Sequence, residues 1–183
     1  MNILVLASTF PRFPGDQQPD FVLNLSQELA KQHRVIVVAP HDQGAKIHET
    51  MGALEVWRFP YFLPAGEILA YRGGMLNALR DNLGARLLLP WFLIAQYLFT
   101  EYLLWRYRID LMHVHWLPNG LVASWAKLLR PKTKILITTH GGDVAVLQNA
   151  LVQKLTPAIT RAAPRPSPRS GAARTGRATT AEA

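Results

Sequence analysis

Residues 2–40, NILVLASTFPRFPGDQQPDFVLNLSQELAKQHRVIVVAP, decide the fold of this chain. The first seven and the last seven of these residues are short apolar runs rich in branched side chains, which are typical of strands buried on both faces. Between the two runs, Phe21, Val22, Leu25 and Leu29 recur at helical spacing. A strand, a helix and a second strand in this order predict a βαβ unit with parallel strands.

The rest of the chain continues this alternation. We predict further strands at residues 54–60, 109–116 and 134–140, and helices at residues 119–130 and 143–155. The segment between the third and fourth strands is predominantly helical in pattern, with expected breaks at Pro64, Gly73-Gly74 and Pro90. Alternating apolar strands and helices predict an α/β fold, a Rossmann-like doubly wound parallel sheet.

Composition divides the chain into two parts. The 183 residues are 49% hydrophobic and 17% charged, which is typical of a globular domain, and the absence of cysteine excludes disulfides and thiolate zinc sites. Residues 161–183 contain no Leu, Ile, Val, Met or aromatic side chain, so we predict a domain over residues 1–160 and a disordered basic tail over 161–183. The tail composition also suggests a frameshift near Arg161, which translation of the DNA in the other frames would test.

The chain has a positive net charge, and the tail contributes part of this charge. The formal net charge is +8, and residues 161–183 carry five arginines against one glutamate. A nucleic-acid binder that uses this tail would show strongly salt-dependent binding, but the tail lacks aromatic residues for base stacking, so no specific nucleic acid is expected. The apolar start, MNILVLASTF, has no basic leader and no small-residue cleavage site, and it is interpreted as a strand rather than a signal peptide.

An apolar stretch at residues 87–104 allows three interpretations. It could span a membrane, pack as a helix of the domain, or contact a membrane surface. Gln96, Thr100 and Glu101 share one helical face and disfavour a span, so a helix of the domain is the preferred interpretation. Membrane-surface contact through residues 87–108 stays open because aromatic and basic residues cluster there: Trp91, Tyr97, Tyr102, Trp105, Arg106, Tyr107 and Arg108.

Candidate site residues follow the predicted strands, at the edge where open α/β sheets bind ligands. The last strand runs into His140, two glycines and Asp143, a carboxylate that can cap the next helix. After the first strand, Gly15 allows backbone amides to approach a phosphate ahead of a helix. Neither a dinucleotide-binding glycine fingerprint nor a P-loop is present, so an ordinary Pro/Gly connection remains the alternative.

The HVHW segment places His113 and His115 on the same strand face. A metal site would need a third ligand, for which His140 is the candidate, and we expect no metal. The two interpretations that remain are a His115 ring that lines a cleft and histidines that are simply satisfied within the fold. No nucleophilic serine elbow and no cysteine nucleophile is present.

Four stretches taken together, in this order, resemble the amino-terminal domain of family 4-type glycosyltransferases with the GT-B fold. They are ILVLASTFPRFPGDQQPDFVLNLSQELAK, VWRFPYFLPAGEILAYRGG, IDLMHVHWLPNGLVA and KILITTHGGDV. The resemblance implies a cleft in which Gly15 and Asp16 lie near the donor phosphates. It further implies that His140 is the catalytic residue and lies with Gly141 near the transferred sugar, while His115 and Asp143 support that wall.

The resemblance also implies an activity. Such enzymes transfer a sugar from a nucleotide-sugar, a co-substrate rather than a cofactor, to a saccharide or lipid-linked acceptor, with retention and without a metal. Nothing after residue 160 resembles the family's donor-binding domain, so we expect this chain to be the acceptor-side half and to transfer little sugar alone. Polysaccharide or glycolipid assembly in the cytoplasm, peripheral to the inner face of the membrane, is the implied setting. The alternative is a non-catalytic Rossmann-like module that binds a nucleotide or a partner.

Overall fold

A computed structural model describes residues 1–13, 15–16, 18–71 and 73–139 of the chain. Its described strands are β1 (Asn2–Leu6), β2 (Arg34–Pro40), β3 (His48–Met51), β4 (Leu54–Phe59), β5 (Leu111–His115) and β6 (Lys134–Thr138). The described helices are α1 (Phe21–Ala30), α2 (Met75–Asp81), α3 (Leu83–Tyr107) and α4 (Leu117–Leu129), with a single 3-10 turn at Pro64–Gly66.

The strands form one sheet in the order β3-β4-β2-β1-β5-β6. β1 is parallel to β2 on one side and to β5 on the other, while β4 and β6 extend the sheet outward in parallel. The chain therefore adds β2, β4 and β3 on one side of β1, and then crosses over to add β5 and β6 on the other side. This order confirms the predicted doubly wound parallel sheet and places its switch point between β1 and β5.

Side chains that alternate along β1 belong to two separate cores. Leu4 and Leu6 are fully buried in the cluster that contains α3 and α4, whereas Ile3 and Val5 are buried in the cluster under α1. A strand that buries both faces must be apolar throughout, which is why β1 shows a continuous run instead of an alternating pattern.

The structure contains a strand that the sequence did not predict. β3 pairs antiparallel with β4 through a two-residue hairpin, in which Gly52 adopts a φ of 62°. Positive φ at the first central residue matches the twist of the flanking strands, and glycine reaches it without steric cost. The other strands are confirmed: β2 has the predicted bounds, while β1, β4, β5 and β6 are shorter, since β5 stops at His115 and β6 at Thr138.

The predicted apolar face of α1 is partly wrong. Val22 and Ser26 are buried, but Phe21 and Leu25 are exposed at 46% and 40%. Asp20 occupies the position before the helix but accepts no capping hydrogen bond through its side chain. The helix therefore presents two apolar side chains outward that helical spacing alone assigned to the core.

The predicted break at Pro90 is also wrong, because α3 is a single helix of 25 residues that contains Pro90. Proline removes the N–H that would bond to the carbonyl of Arg86. Both residues lie on the exposed side of the helix, where water can solvate the freed carbonyl. The break at Gly73-Gly74 is confirmed, because α2 begins directly after it.

α3 has two apolar faces. The inner face packs into the core through buried residues that include Phe92, Leu103 and Leu104, so the interpretation as a helix of the domain is confirmed. By length and composition α3 is also the one described helix that could cross a membrane. The outer face of α3 is the row of exposed residues Leu83, Leu87, Trp91, Ile94, Leu98, Tyr102 and Trp105.

Candidate functional site

A cavity of about 300 Å³ lies at the switch point of the sheet. Ser8 and Thr9, which follow β1, form one wall, and Trp116, which follows β5, forms another. The start of α2, residues 73–77, completes the lining. Crevices at this edge are where open α/β sheets bind ligands, so the cavity is the candidate substrate site.

Trp116 holds an unusual backbone conformation in the cavity wall. Its φ is 77°, and it joins β5 directly to α4 without an intervening loop. A non-glycine residue in this region costs about 1–3 kcal/mol and persists only when its surroundings fix it. The buried side chain of Asn119 donates to the carbonyl of His115 at 2.8 Å, and the Trp116 amide donates to the carbonyl of Thr138 at 3.3 Å.

The lining of the cavity is chemically suited to a polyhydroxylated ligand. Ser8 and Thr9 supply two hydroxyls, each able to donate and accept, and Trp116 supplies an indole. Asn77 donates its side-chain amide to the carbonyl of Gly73 at 2.8 Å, which fixes the turn into α2. The wall thus combines hydrogen-bonding groups with one aromatic surface, the usual mixture in a small-molecule site.

Gly15 adopts the left-handed backbone that the loop after β1 requires. Its φ is 83°, and a β-carbon built there would meet nothing within 4 Å. The glycine is therefore needed for the path of the chain and not for close packing. The open space beside it leaves the main chain accessible to a ligand, as the predicted phosphate contact requires.

The carboxylate of Asp16 is held inside the same loop by Arg12. Both oxygens accept from the guanidinium, at 2.8 and 2.9 Å, and Oδ2 also accepts from the Arg12 amide at 2.9 Å. The Asp16 side chain is only 3% exposed. These contacts organise the loop around Gly15, and the predicted role of Asp16 near the donor phosphates stays a prediction.

Arg12 also reaches the loop that follows β2. Its Nη1 donates to Asp42 at 2.8 Å, and its guanidinium lies 5.3 Å from the ring centroid of Tyr71. The hydrogen bond to Asp16 raises the pKa of Arg12 above its ordinary value, against the opposing effect of burial. Arg12 therefore stays charged and ties two loops of the carboxyl edge together.

Two buried tyrosines support the loops behind this cluster. Tyr71 donates to the carbonyl of Pro40 at 2.9 Å, and Tyr61 accepts from the amide of Leu69 at 3.0 Å. Burial raises the pKa of Tyr61 to about 12 and raises that of Tyr71 as well. Both phenols stay protonated near neutral pH, so neither is suited to act as a base.

Glu67, also buried, joins the loop after β4 to the loop after β2. Its Oε2 lies 2.5 Å from Nδ1 of His41, and its Oε1 accepts from the amide of Tyr61 at 3.2 Å. The other ring nitrogen of His41 lies 3.1 Å from the carbonyl of Ala45. These contacts fix the segment that leads to Gly73 and the cavity.

His113 and His115 lie on the same face of β5, as the sequence predicted. Their ring centroids are 4.3 Å apart, and the ring of Phe21 meets His115 edge-on at 6.5 Å. His115 is 2% exposed, and Nε2 of His113 lies 2.9 Å from the hydroxyl of Thr138. His115 therefore stands at the carboxyl edge beside Trp116, while its predicted contact with substrate stays a prediction.

Three predicted site residues, His140, Gly141 and Asp143, lie outside the described residues. The described residues end at residue 139, directly before them in the sequence, and Thr138 is paired in register with His115. Within residues 1–139 as described, no group of three His, Cys, Asp or Glu side chains is arranged to hold a metal ion.

The structure adds Ser8, Thr9, Asn77 and Trp116 to the candidate site. For Ser8 and Thr9 the sequence offered one signal, which is their position directly after the central strand. No local pattern marked Asn77, because its place beside β1 depends on how α2 packs.

Fold and site together define a Rossmann-like domain with a cavity at the switch point of its sheet. A family model for the glycosyl transferase 4-like domain matches residues 20–179, and the chain belongs to that family. Comparison of the sequence with curated proteins gives no match. Four sequence stretches indicated a resemblance to the amino-terminal domain of a GT-B enzyme. The family match and the fold confirm this resemblance.

A solved structure agrees with this fold. A sucrose-phosphate synthase chain from Thermosynechococcus elongatus is similar over 89% of this chain and 73% of its own length, with 19% identity and a TM-score of 0.52. A second structure of sucrose-phosphate synthase from the same organism covers 81% of this chain with 18% identity and a TM-score of 0.48. This chain spans 35% of the length of that second protein.

Proposed function

We propose that this chain is the acceptor-side half of a glycosyltransferase. It would act in the transfer of a sugar from a nucleotide-sugar donor to a saccharide or lipid-linked acceptor, as in polysaccharide or glycolipid assembly. The observation that carries the proposal is the cavity between Ser8, Thr9 and Trp116 at the switch point of a glycosyl transferase 4-like domain. Its hydroxyl and indole groups suit the acceptor sugar.

The donor is proposed to bind on the Gly15 side of the same edge. Open main chain at Gly15 supports a diphosphate contact, because backbone N–H groups stabilise the charge that develops on a departing nucleotide. His140 would act at the transferred sugar, with Gly141, Asp143 and His115 beside it. The proposed reaction retains the anomeric configuration and needs no metal.

The chain by itself is proposed to transfer little sugar, because its described residues form a single Rossmann-like domain and the proposed cleft needs a second one. The proposed location is the cytoplasm, peripheral to the inner face of the membrane, with contact through residues 87–108. Support for this location comes from the exposed apolar and aromatic side chains of α3.

Transfer assays with the full chain and a panel of labelled nucleotide-sugars test this proposal. Alone, the chain should give no turnover above background. Adding a separately expressed nucleotide-binding domain of the same family should restore transfer, with retained configuration by NMR of the product and no loss in EDTA. Turnover by the chain alone at the rate of a two-domain enzyme would contradict the half-enzyme proposal. Nucleotide binding without transfer in any combination would favour the non-catalytic module.

A further inference from the structure

The outer face of α3 has a regular spacing that its composition alone does not show. From Leu83 to Trp105 the exposed residues follow steps of four, four and three, repeated twice. Steps of this kind keep side chains on one side of a helix, and the row is about 33 Å long at 1.5 Å per residue. The outer face is therefore one continuous apolar strip on the surface of the domain.

The end of α4 widens this strip. Trp125, Leu128 and Leu129 are exposed there. The ring of Trp125 meets that of Tyr97 edge-on at 6.1 Å, and Nε of Arg130 lies 3.8 Å from Glu101, so the two helices lie side by side. Large contiguous apolar patches on a protein surface mark interaction sites.

The net charge of the chain segment that carries the strip favours an anionic partner. Residues 82–134 contain seven Lys or Arg and only two acidic residues, whereas residues 1–81 contain seven basic and eight acidic residues. One of the two acids, Glu101, already faces Arg130 of the same chain. A second copy of α3 would bring like charges together, while an anionic surface would attract them.

We propose that the outer face of α3, together with Trp125, Leu128 and Leu129, lies in the headgroup region of an anionic lipid bilayer. An apolar helix face with tryptophan and flanking arginine is the composition of a helix that lies in the interface. The inner face of α3 is packed into the domain core through Phe92 and Leu103, so the helix lies on the bilayer and does not cross it.

This orientation brings the cavity close to lipid. The end of α3 is tied to the amino edge of the sheet, where Asn2 donates to the carbonyl of Tyr107 at 2.8 Å. The start of α3 follows α2, which lines the cavity at the opposite edge. Membrane contact through residues 87–108 is already part of the proposed function, and the present inference assigns that contact to one face of α3 and to anionic lipid. Bilayer binding is argued from the exposed side chains of α3 and α4, whereas entry of a lipid-linked acceptor from this side rests on the proposed sugar transfer.

Flotation of the full chain with lipid vesicles tests the proposal. We expect binding to vesicles of phosphatidylcholine mixed with phosphatidylglycerol, and much weaker binding to phosphatidylcholine alone or at high salt. The double variant Trp91→Gln/Trp105→Gln should reduce partitioning about tenfold or more, because each indole loses its buried apolar area. Arg106→Gln should weaken binding only to the anionic vesicles.

The control variant is Leu63→Gln, which changes an exposed apolar residue away from α3; Leu63 is 72% exposed and Trp105 is 70% exposed. It should bind vesicles like the wild type, and unchanged thermal unfolding should show that all variants fold. Equal binding by the tryptophan variant and the wild type would overturn the proposal. So would a lipid-free dimer in sedimentation that the tryptophan variant abolishes, or vesicle binding that resists an alkaline carbonate wash.

Discussion

At the scale of single residues, Arg12 sets the geometry of the carboxyl edge. It holds Asp16 through two hydrogen bonds from its guanidinium and Asp42 through a third, so that the loops after β1 and β2 are joined. Both carboxylates are nearly buried, with side chains 3% and 6% exposed. Paired charges of this kind are costly to separate, because each partner has lost its water. The position of Gly15 depends on this cluster.

Arg12→Met should therefore lower the free energy of unfolding by about 3 kcal/mol, since it leaves two carboxylates buried without their cation. Urea denaturation at neutral pH measures the change. Lys31→Met is the matched control: its pair with Glu28 is about two-thirds exposed on both sides and should contribute less than about 0.5 kcal/mol. Equal effects of the two substitutions would show that the Arg12 cluster does not hold the edge together.

At the scale of elements, the strands with apolar runs could be predicted from the sequence. The edge strand β3 and the buried face of α3 could not. β1 and β2 bury branched side chains on both faces, which leaves a clear run in the sequence, and β4, β5 and β6 still carry buried apolar residues such as Val56, Met112 and Ile135. β3, HETM, alternates between exposed and half-buried positions at the sheet edge and has no apolar run to reveal it. Its presence depends on the hairpin at Gly52 and on pairing with β4.

α3 shows why helical spacing could not separate core from surface. Apolar residues occupy both its inner and its outer face, so the sequence indicates a helix but no single buried side. The inner face even contains polar groups: both amide atoms of Gln96 and the hydroxyl of Thr100 are buried without a hydrogen-bond partner in the described structure. Only the packing of α3 against the sheet decides which face is inside.

Gln96→Met should stabilise the domain by about 1 kcal/mol or more, because it removes a buried amide whose hydrogen bonds are unmade while keeping the length of the side chain. The free energy of unfolding in urea is the measurement. Gln27→Met, on the exposed side of α1, makes the same chemical change in contact with water and should have little effect. A loss of stability in Gln96→Met would indicate that its amide is satisfied.

At the scale of the whole molecule, the sequence predicted one part of the candidate site, and the other part depends on the order of the strands in the sheet. The sequence placed Gly15 after the first strand and His115 near the end of the fourth predicted strand, and the sheet order brings those strand ends to one edge. Ser8, Thr9 and Trp116 meet across the switch point because β1 and β5, more than a hundred residues apart, are neighbours. Such long-range pairing is fixed by the packing of both sheet faces and leaves no local signal. The cavity and the Gly15 loop are thus separate parts of one edge.

When sugar transfer is restored by adding the second domain in trans, substitutions in the Gly15 loop and in the cavity should change the KM values of different substrates. Gly15→Ala places a β-carbon at a φ of 83° beside the proposed phosphate contact, and it should raise the KM for donor while leaving the KM for acceptor nearly unchanged. Gly44→Ala is the matched control, because its φ of 86° imposes the same strain of about 1–2 kcal/mol in a loop with equally open space. Thr9→Val, in the cavity, should instead raise the KM for acceptor. If Gly44→Ala changes the donor KM as much as Gly15→Ala, the effect is loss of stability, and the donor contact at Gly15 is wrong.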